Sequence, residues 1–271
     1  MIEFLHLAAL AGCLGAWALF FRAFRQGGGP AESTGWKLGL ASAGVHGLAL
    51  VVFGVRHSVL PLVGLGPASS TLALATALLV LAAATREENR PTALFVLPLV
   101  VLLVAEATAV GVRPVTPGAG LQGTWLVVHV GTVFVGYAGL ALASAAAAMY
   151  VLQFRTLKRK EFGSVFGFFP PLETLDRLNR LALWTGFAFL TAGLVLGWSR
   201  TLTYGQGLDL ANPQVVFGVA TWVAYLAAVV SRLAPGERAE RSAVATASAF
   251  GVTVVVFAAL RILGDAGGFF L

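Results

Sequence analysis

The side chains best suited to chemistry in this chain are four histidines and one carboxylate that stand within or beside long apolar runs. His46 and His129 each lie inside such a run, whereas His6, His57 and Glu106 lie towards the ends of others. An ionisable group at membrane depth is costly and usually faces the interior of a helix bundle. Each of these residues is therefore a candidate for a functional site.

The two central histidines suit ligation of a metal or of haem iron. Neutral imidazole is the commonest metal ligand and an axial ligand of haem, and coordination satisfies a ring nitrogen that lipid would leave bare. In helical spacing, small or apolar residues surround His46, whereas aromatic and small residues share the face of His129. These neighbours are Ser42, Ala43, Ala49, Leu50 and Phe53 for His46, and Trp125, Gly136 and Tyr137 for His129.

Other interpretations of the same residues stay open. His46 can equally hydrogen-bond a neighbouring helix, and His6 and His57 fit interfacial positions that tolerate imidazole without a partner. Zinc is disfavoured because it takes three or four ligands, and no two histidines stand three or four residues apart. Glu106 is either half of an ion pair with Arg113 or the acceptor that orients a ligating histidine.

The elements that must position these side chains are membrane helices. The chain is 58% hydrophobic and 11% charged, with a mean hydropathy of +0.86, a composition that excludes a soluble domain. A spanning helix needs about 20 mostly apolar residues. Eight such runs occur, at approximately 2–24, 36–56, 69–85, 92–111, 122–152, 181–203, 213–231 and 242–262. The sequence therefore predicts an all-α polytopic membrane protein, with residues 1–271 forming one bundle of eight transmembrane helices.

The basic residues predict the orientation of the bundle. Most of the Lys and Arg fall in the first, third, fifth and seventh connections, and the cytoplasmic side of a membrane collects these residues. Both termini are therefore predicted to lie outside a bacterial cytoplasmic (inner) membrane. His46 is then expected near mid-membrane, and His129 roughly 8–10 Å below the outer surface. On that outer side, each of three arginines is either an interfacial anchor or a bidentate partner for ligand carboxylates: Arg56, Arg113 and Arg200.

Composition and motifs disfavour several classes of function. The pI of about 10.1 follows from the basic connections, so the predicted partner of these charges is the lipid bilayer and not nucleic acid. Cys13 is the single cysteine, which excludes a disulfide or thiol relay within the chain. No phosphate-binding, dinucleotide-binding or hydrolase motif occurs, and we expect no enzyme. A proton-coupled transporter that uses Glu106 and the histidines is disfavoured because the helix pattern shows no internal repeat.

A longer pattern around His129 resembles a known family. The segment fits LQxxWLxxHVxxxxxxYA of the cytochrome c assembly proteins, which include CcsA and the shorter HemX-type members, through Leu121, Gln122, Trp125, Leu126, His129, Val130, Tyr137 and Ala138. The similarity continues through residues 170–177, 186–193 and 221–225 and covers about residues 40–262. CcsA carries a tryptophan-rich stretch after its sixth helix, where this chain reads YGQGLDLANP, and no histidine follows His129. The chain is therefore identified as closer to the HemX-type members.

The resemblance implies a haem protein. It implies non-covalent haem b with bis-histidine ligation by His46 and His129, with His57 as the alternative partner of His129. It further implies that the protein holds or relays haem in cytochrome c maturation, beside a CcsB-like assembly partner. The alternative is a HemX-type regulator or scaffold that acts on a haem-synthesis enzyme through the stretch QFRTLKRKEFGSVFGFFPPLETLDRLNR, which is predicted to be cytoplasmic.

Overall fold

Helices are the regular secondary structure of the residues that can be described, and no strand occurs among them. A computed structural model describes residues 1–115, 123–160, 163–203, 212–234 and 239–263. Within these ranges there are nine α-helices and one 3-10 helix, Glu87–Thr92. The α-helices are α1 Ile2–Gln26, α2 Pro30–His57, α3 Leu65–Ala83, α4 Ala93–Val110, α5 Thr124–Lys158, α6 Ser164–Phe168, α7 Leu172–Thr203, α8 Pro213–Leu233 and α9 Ala239–Leu263.

The predicted membrane spans are confirmed. Each helix except the five-residue α6 is long and apolar enough to cross a bilayer, which gives eight candidate spans in the described residues. The all-α class and the polytopic membrane character therefore follow directly from the apolar runs, because an isolated backbone in lipid must satisfy its own hydrogen bonds.

Two helix starts differ from the sequence prediction by more than five residues. α2 begins at Pro30 and not near residue 36, because proline at the first helical position has the right φ and lacks an N–H that would need a partner. α7 begins at Leu172 and not near residue 181. The prediction that Arg177 and Arg180 lie in a connection is therefore wrong, since leucines at three-residue spacing carry the helix through this charged segment.

The spanning helices form two groups of four. The first half consists of α1–α4, in which α1 packs on α2 and α4, and α3 packs on α2 and α4. The second half consists of α5 and α7–α9, in which α5 packs on α7 and α9, and α8 packs on α7 and α9. The contact of α3 with α5 joins the two halves. His46 therefore belongs to one half and His129 to the other.

Small residues set the helix spacing in both halves. In the first half, a Cβ on Gly12 of α1 would lie 2.9 Å from the Cβ of Ser42 on α2. In the second half, a Cβ on Gly186 of α7 would lie 2.8 Å from the backbone nitrogen of Leu140 on α5. Only glycine permits such close backbone approach at these two crossings. At the same crossing, a Cβ on Gly139 of α5 would lie 2.9 Å from the Cα of Gly186.

A buried ion pair fastens the start of α7 to the end of α8. Arg232, whose side chain is 5% exposed, donates to the carboxylate of Asp176 over 2.9 Å and also to the side-chain oxygen of Asn179. The Asn179 amide in turn donates to the carbonyl of Ala143 on α5 over 2.9 Å. These bonds tie three helices of the second half together at one end.

The phenylalanine-rich part of the predicted docking stretch packs into the first half. Phe168 and Phe169 are buried, and their rings contact Phe24 of α1, with Phe169 also against Phe95 of α4. Phe166 is 47% exposed. Residues 161 and 162 of this stretch lie outside the described residues. Two of its aromatic side chains are thus used within the bundle itself.

Candidate functional site

His129 is oriented by the backbone of a neighbouring helix. It lies in the second turn of α5, and its Nδ1 is 3.0 Å from the carbonyl oxygen of Gly193 on α7. A carbonyl only accepts, so Nδ1 carries the proton and donates, and Nε2 of the neutral ring keeps its lone pair. Within the described residues Nε2 has no hydrogen-bond partner. A ring N–H held by a backbone carbonyl, with the other nitrogen open, is the arrangement usual for a ligating histidine.

A second glycine of α7 makes room for the imidazole. A Cβ on Gly197 would lie 3.0 Å from Cε1 of His129, closer than ordinary van der Waals contact. Gly193 and Gly197 are one helical turn apart and therefore lie on the same face of α7. Gly193 supplies the carbonyl for the His129 ring, and Gly197, which has no side chain, leaves space for that ring. The sequence analysis identified neither glycine as part of this site. Their spacing relative to the histidine is set by the crossing of two helices and is not visible along one helix.

An aromatic and cationic stack stands beside His129. The Trp125 ring lies parallel to the His129 ring, with centroids 5.0 Å apart and planes 6° apart, as the four-residue spacing predicts. The guanidinium of Arg200 lies 5.2 Å from the centroid of the Trp125 ring. Arg200 was predicted only as one of three arginines on the same side. The structure selects it as the arginine that adjoins the tryptophan.

Tyr137 lies apart from this stack. It is eight residues beyond His129, about 12 Å along the helix axis at 1.5 Å per residue. Its ring packs against Phe217 of α8, with centroids 5.5 Å apart. The side chains of Tyr137 and His129 therefore contact different helices.

His46 lies in a closed cluster with a histidine that the sequence analysis assigned elsewhere. Nε2 of His46 and Nε2 of His6 each lie 2.8 Å from the hydroxyl oxygen of Ser70 on α3, and the two imidazole centroids are 5.3 Å apart. His6 is fully buried and His46 is 1% exposed. The prediction that His6 is an interfacial residue is therefore wrong. A signal was available, because the buried stripe of α1 repeats every three or four residues and contains His6: Ile2, His6, Ala9, Cys13, Ala16, Phe20 and Ala23.

The structure does not bring His46 and His129 together. His46 contacts α1 and α3 of the first half, whereas His129 contacts α7 of the second half. Ser42, which stands one turn before His46, contacts α1. Its hydroxyl donates to the carbonyl of Ala9 over 2.7 Å and lies 3.2 Å from the Cys13 sulfur. Ligation of one iron by His46 and His129 gains no support from this packing and stays a prediction.

The remaining predicted residues lie in separate places. His57 packs on Phe53 of its own helix, with ring centroids 4.9 Å apart. Arg56 and Arg113 are exposed. The carboxylate of Glu106 accepts a hydrogen bond from the Ser69 hydroxyl over 3.0 Å, so the predicted bond from Glu106 to a histidine ring is not among these contacts. Leu121, Gln122 and most of the YGQGLDLANP stretch, residues 204–211, lie outside the described residues.

Comparison with known proteins gives consistent similarities. The family described as Cytochrome C assembly protein matches residues 42–264, a range that includes His46 and His129 and leaves His6 outside. The chain is 26% identical over 170 residues to the cytochrome c biogenesis protein CcsA of Guillardia theta, with 56% of this chain and 54% of the relative covered. It is 27% identical over 165 residues to the protein of the same name of Prochlorococcus marinus strain MIT 9312, with 53% of each chain covered.

A relative of different name matches a similar share. An uncharacterized 28.8 kDa protein of Azospirillum brasilense is 28% identical over 153 residues, with 56% of each chain covered. The chain spans about half the length of the curated relatives it matches.

Proposed function

This chain belongs to the cytochrome c assembly protein family, and from that membership we propose that it holds haem within the membrane during cytochrome c biogenesis. The names of the CcsA relatives support the process, and the environment of His129 supports the cofactor. On this proposal the protein binds and passes on haem b beside another assembly component. Its own residues carry no catalytic step.

The observation that carries the proposal is the fixed tautomer of His129. Its Nδ1–H is held by the Gly193 carbonyl, and its Nε2 lone pair is available to a metal. Haem iron, when bound, supplies an axial position that imidazole fills. Trp125 offers a flat apolar face beside that position, and Arg200 offers a guanidinium that suits a propionate carboxylate.

The second axial ligand in this proposal is His46, with His57 as the alternative. The two differ in what ligation would require. Nε2 of His46 bonds the Ser70 hydroxyl, so ligation by that nitrogen requires this bond to be broken, whereas Nδ1 of His46 is buried and has no hydrogen-bond partner among the described residues. His57 is partly exposed at the end of α2, and its ring is tilted by 51° against the Phe53 ring, with centroids 4.9 Å apart.

The regulator alternative has weaker support. It depends on the loop around α6 as a docking surface, and Phe168 and Phe169 of that segment pack against α1 and α4 instead.

A bacterial cytoplasmic membrane remains the proposed location, in line with the bacterial relatives of Prochlorococcus and Azospirillum.

The test is the absorption spectrum of the detergent-purified protein, oxidised and dithionite-reduced, with the haem content from a pyridine haemochrome assay. We expect a low-spin b-type spectrum for the unchanged protein and loss of haem for His129→Ala, because the oriented ligand is removed. Added imidazole should restore haem binding to His129→Ala, which a purely structural role would not allow. A full low-spin spectrum in His129→Ala would overturn the proposal.

The same spectra identify the second ligand. His46→Ala and His57→Ala are compared under identical conditions, and the variant that converts low-spin haem to high-spin haem lacks the second axial ligand. Retention of helical circular dichroism in each variant is the control for folding.

A further inference from the structure

A groove lies between the two halves at one end of the bundle. Its lining comes from the end of α3 and the turn that follows, from α7, and from α5, whose buried Gly139 and Leu142 form the floor. The groove has a volume of about 310 Å³, far more than the roughly 10–15 Å³ that one ordered water needs. It therefore has room for part of a larger ligand.

The deeper part of the groove is apolar and opens towards the lipid. Side chains of α3 and α7 line it: Leu79, Ala82, Leu178 and Leu181. Leu181 is 64% exposed, and Ala82 is also exposed, so these two residues form an open rim. From Leu178 to the lining residue Thr185 is about 10 Å along α7, roughly two thirds of the ~15 Å hydrocarbon thickness of one leaflet. This length suits an acyl chain that lies along the groove.

Two arginines stand at the mouth of the groove. Arg86 follows the end of α3, and Arg177 lies in the second turn of α7. The Arg177 side chain is 61% exposed, and Arg86 is exposed as well. Guanidinium groups bind phosphate oxygens through paired N–H donors. Because each half of the bundle supplies one arginine, a phosphate held by both would connect the two halves.

The carboxylates around the mouth leave it positively charged. Glu88 accepts from Arg177 over 3.1 Å, a bond that already joins the first half to the second half. Arg86 forms no salt bridge within the described part of the chain. Two arginines therefore stand against one carboxylate at the mouth. The other carboxylates of this region do not line the groove: Glu87, Glu173 and Asp176.

We propose that this groove binds one anionic phospholipid, with the phosphate between Arg86 and Arg177 and one acyl chain along the apolar part. Basic pockets between membrane helices bind lipid headgroups, and the mouth lies on the side that the basic residues predict to be cytoplasmic, where anionic lipids are found. A cationic mouth followed by an apolar groove matches an amphiphile, whereas free phosphate would use the mouth alone. The predicted haem ligands do not line the groove, so this site does not depend on haem binding.

The first test counts bound lipid. The protein in neutral detergent is titrated with phosphatidylglycerol, and native mass spectrometry gives the number of lipids bound. We expect one lipid to bind ahead of all others, and excess inorganic phosphate to leave it in place because the acyl chain contributes to binding. Absence of a first tight lipid, or its full displacement by phosphate, would overturn the proposal.

The arginines are tested by two matched double variants. Arg86→Gln with Arg177→Gln should weaken binding of the first phosphatidylglycerol roughly tenfold or more, because each basic residue adds to the attraction of an anionic lipid. Arg155→Gln with Arg159→Gln removes the same charge from exposed positions outside the groove and should leave that affinity near the original. Equal losses in the two double variants would show general charge attraction and would contradict the site.

The apolar part is tested by filling it. Ala82→Phe keeps both arginines and occupies the groove from α3, so it should also weaken binding of the first lipid. Leu78→Phe, one turn earlier on α3 and exposed outside the groove, should not. Unchanged binding in Ala82→Phe would mean that no acyl chain lies in the groove. Helical circular dichroism controls for folding, and the competition by phosphate on the unchanged protein stands even if a variant fails to fold.

Hemin titration separates this site from the proposed haem site. The double variant of Arg86 and Arg177 should bind hemin as the unchanged protein does, because the oriented ring of His129 is retained. If that variant lost hemin and kept the phospholipid, the groove would serve haem instead, and the lipid proposal would be wrong.

Discussion

The two halves of the bundle each hold a histidine that is oriented from another helix, but the orienting groups differ. In the second half a backbone carbonyl accepts from Nδ1 of His129, and a carbonyl can never donate. In the first half a serine hydroxyl bonds Nε2 of His46, and a hydroxyl can both donate and accept. The neighbour of His129 therefore fixes which ring nitrogen carries the proton, whereas the hydroxyl beside His46 does not do so by itself. Nε2 of His129 is left open for a ligand, while Nε2 of His46 is bonded to Ser70.

Separating α5 from α7 should disturb the His129 site in the second half and leave the first half unchanged. Gly186→Leu forces a side chain against the backbone of Leu140, 2.8 Å from where the Cβ would stand. We expect the free energy of unfolding to fall by about 3 kcal/mol or more, because the clash is with backbone and cannot be relieved by a rotamer change. Haem retention should be lost as well, because α7 then no longer holds His129 in place. Thermal unfolding followed by circular dichroism measures the first effect.

The matched control lies in the first half. Gly44 of α2 is exposed and has nothing within 4 Å of an added Cβ, so Gly44→Leu should leave the unfolding temperature near that of the unchanged protein. If Gly186→Leu and Gly44→Leu lowered the unfolding temperature equally, the close crossing at Gly186 would not be what positions the His129 site.

Removing the shared hydroxyl should affect only the first half. Ser70→Ala leaves two buried imidazoles without their common partner and should lower the free energy of unfolding by about 1–3 kcal/mol. Ser231→Ala is the control, since that hydroxyl bonds only the Ala228 carbonyl of its own helix. Thermal unfolding followed by circular dichroism measures this effect. Equal losses of stability in both variants would show that the shared hydroxyl contributes no more than a bond within one helix.

The smallest expected effect concerns the fit of the His129 ring. Gly197→Ala places a Cβ 3.0 Å from Cε1 of His129 and should tilt the ring within its site. Groups that orient a ligand typically change metal affinity 10- to 100-fold, and for this modest tilt we expect roughly tenfold weaker hemin binding in an absorbance titration. Gly131→Ala, two residues from His129 with open space around it, should bind hemin as the unchanged protein does. Identical hemin affinities for Gly197→Ala and Gly131→Ala would show that the close approach of Gly197 does not affect how His129 binds haem.

Local signals predicted much of what surrounds each histidine. The stacking of Trp125 on His129 follows from four-residue spacing on one helix. The charged residues around Arg177 favour a connection, whereas the leucine spacing there indicates the helix that the structure shows. The place of His6 near the end of α1 favours the interface, whereas the apolar stripe that contains His6 indicates burial.

The sequence by itself determined the eight spans, because a chain in lipid must satisfy its backbone within each helix and the length of an apolar run then sets the helix. Only the tertiary structure decided which histidine meets which partner. His6 meets Ser70 and His129 meets Gly193, each across 64 residues of chain. Those meetings depend on where glycines let helices cross, and such crossings are a property of two surfaces together. This is why the predicted pairing of His46 with His129 gains no support from the packing, while the helices that carry them were predicted correctly.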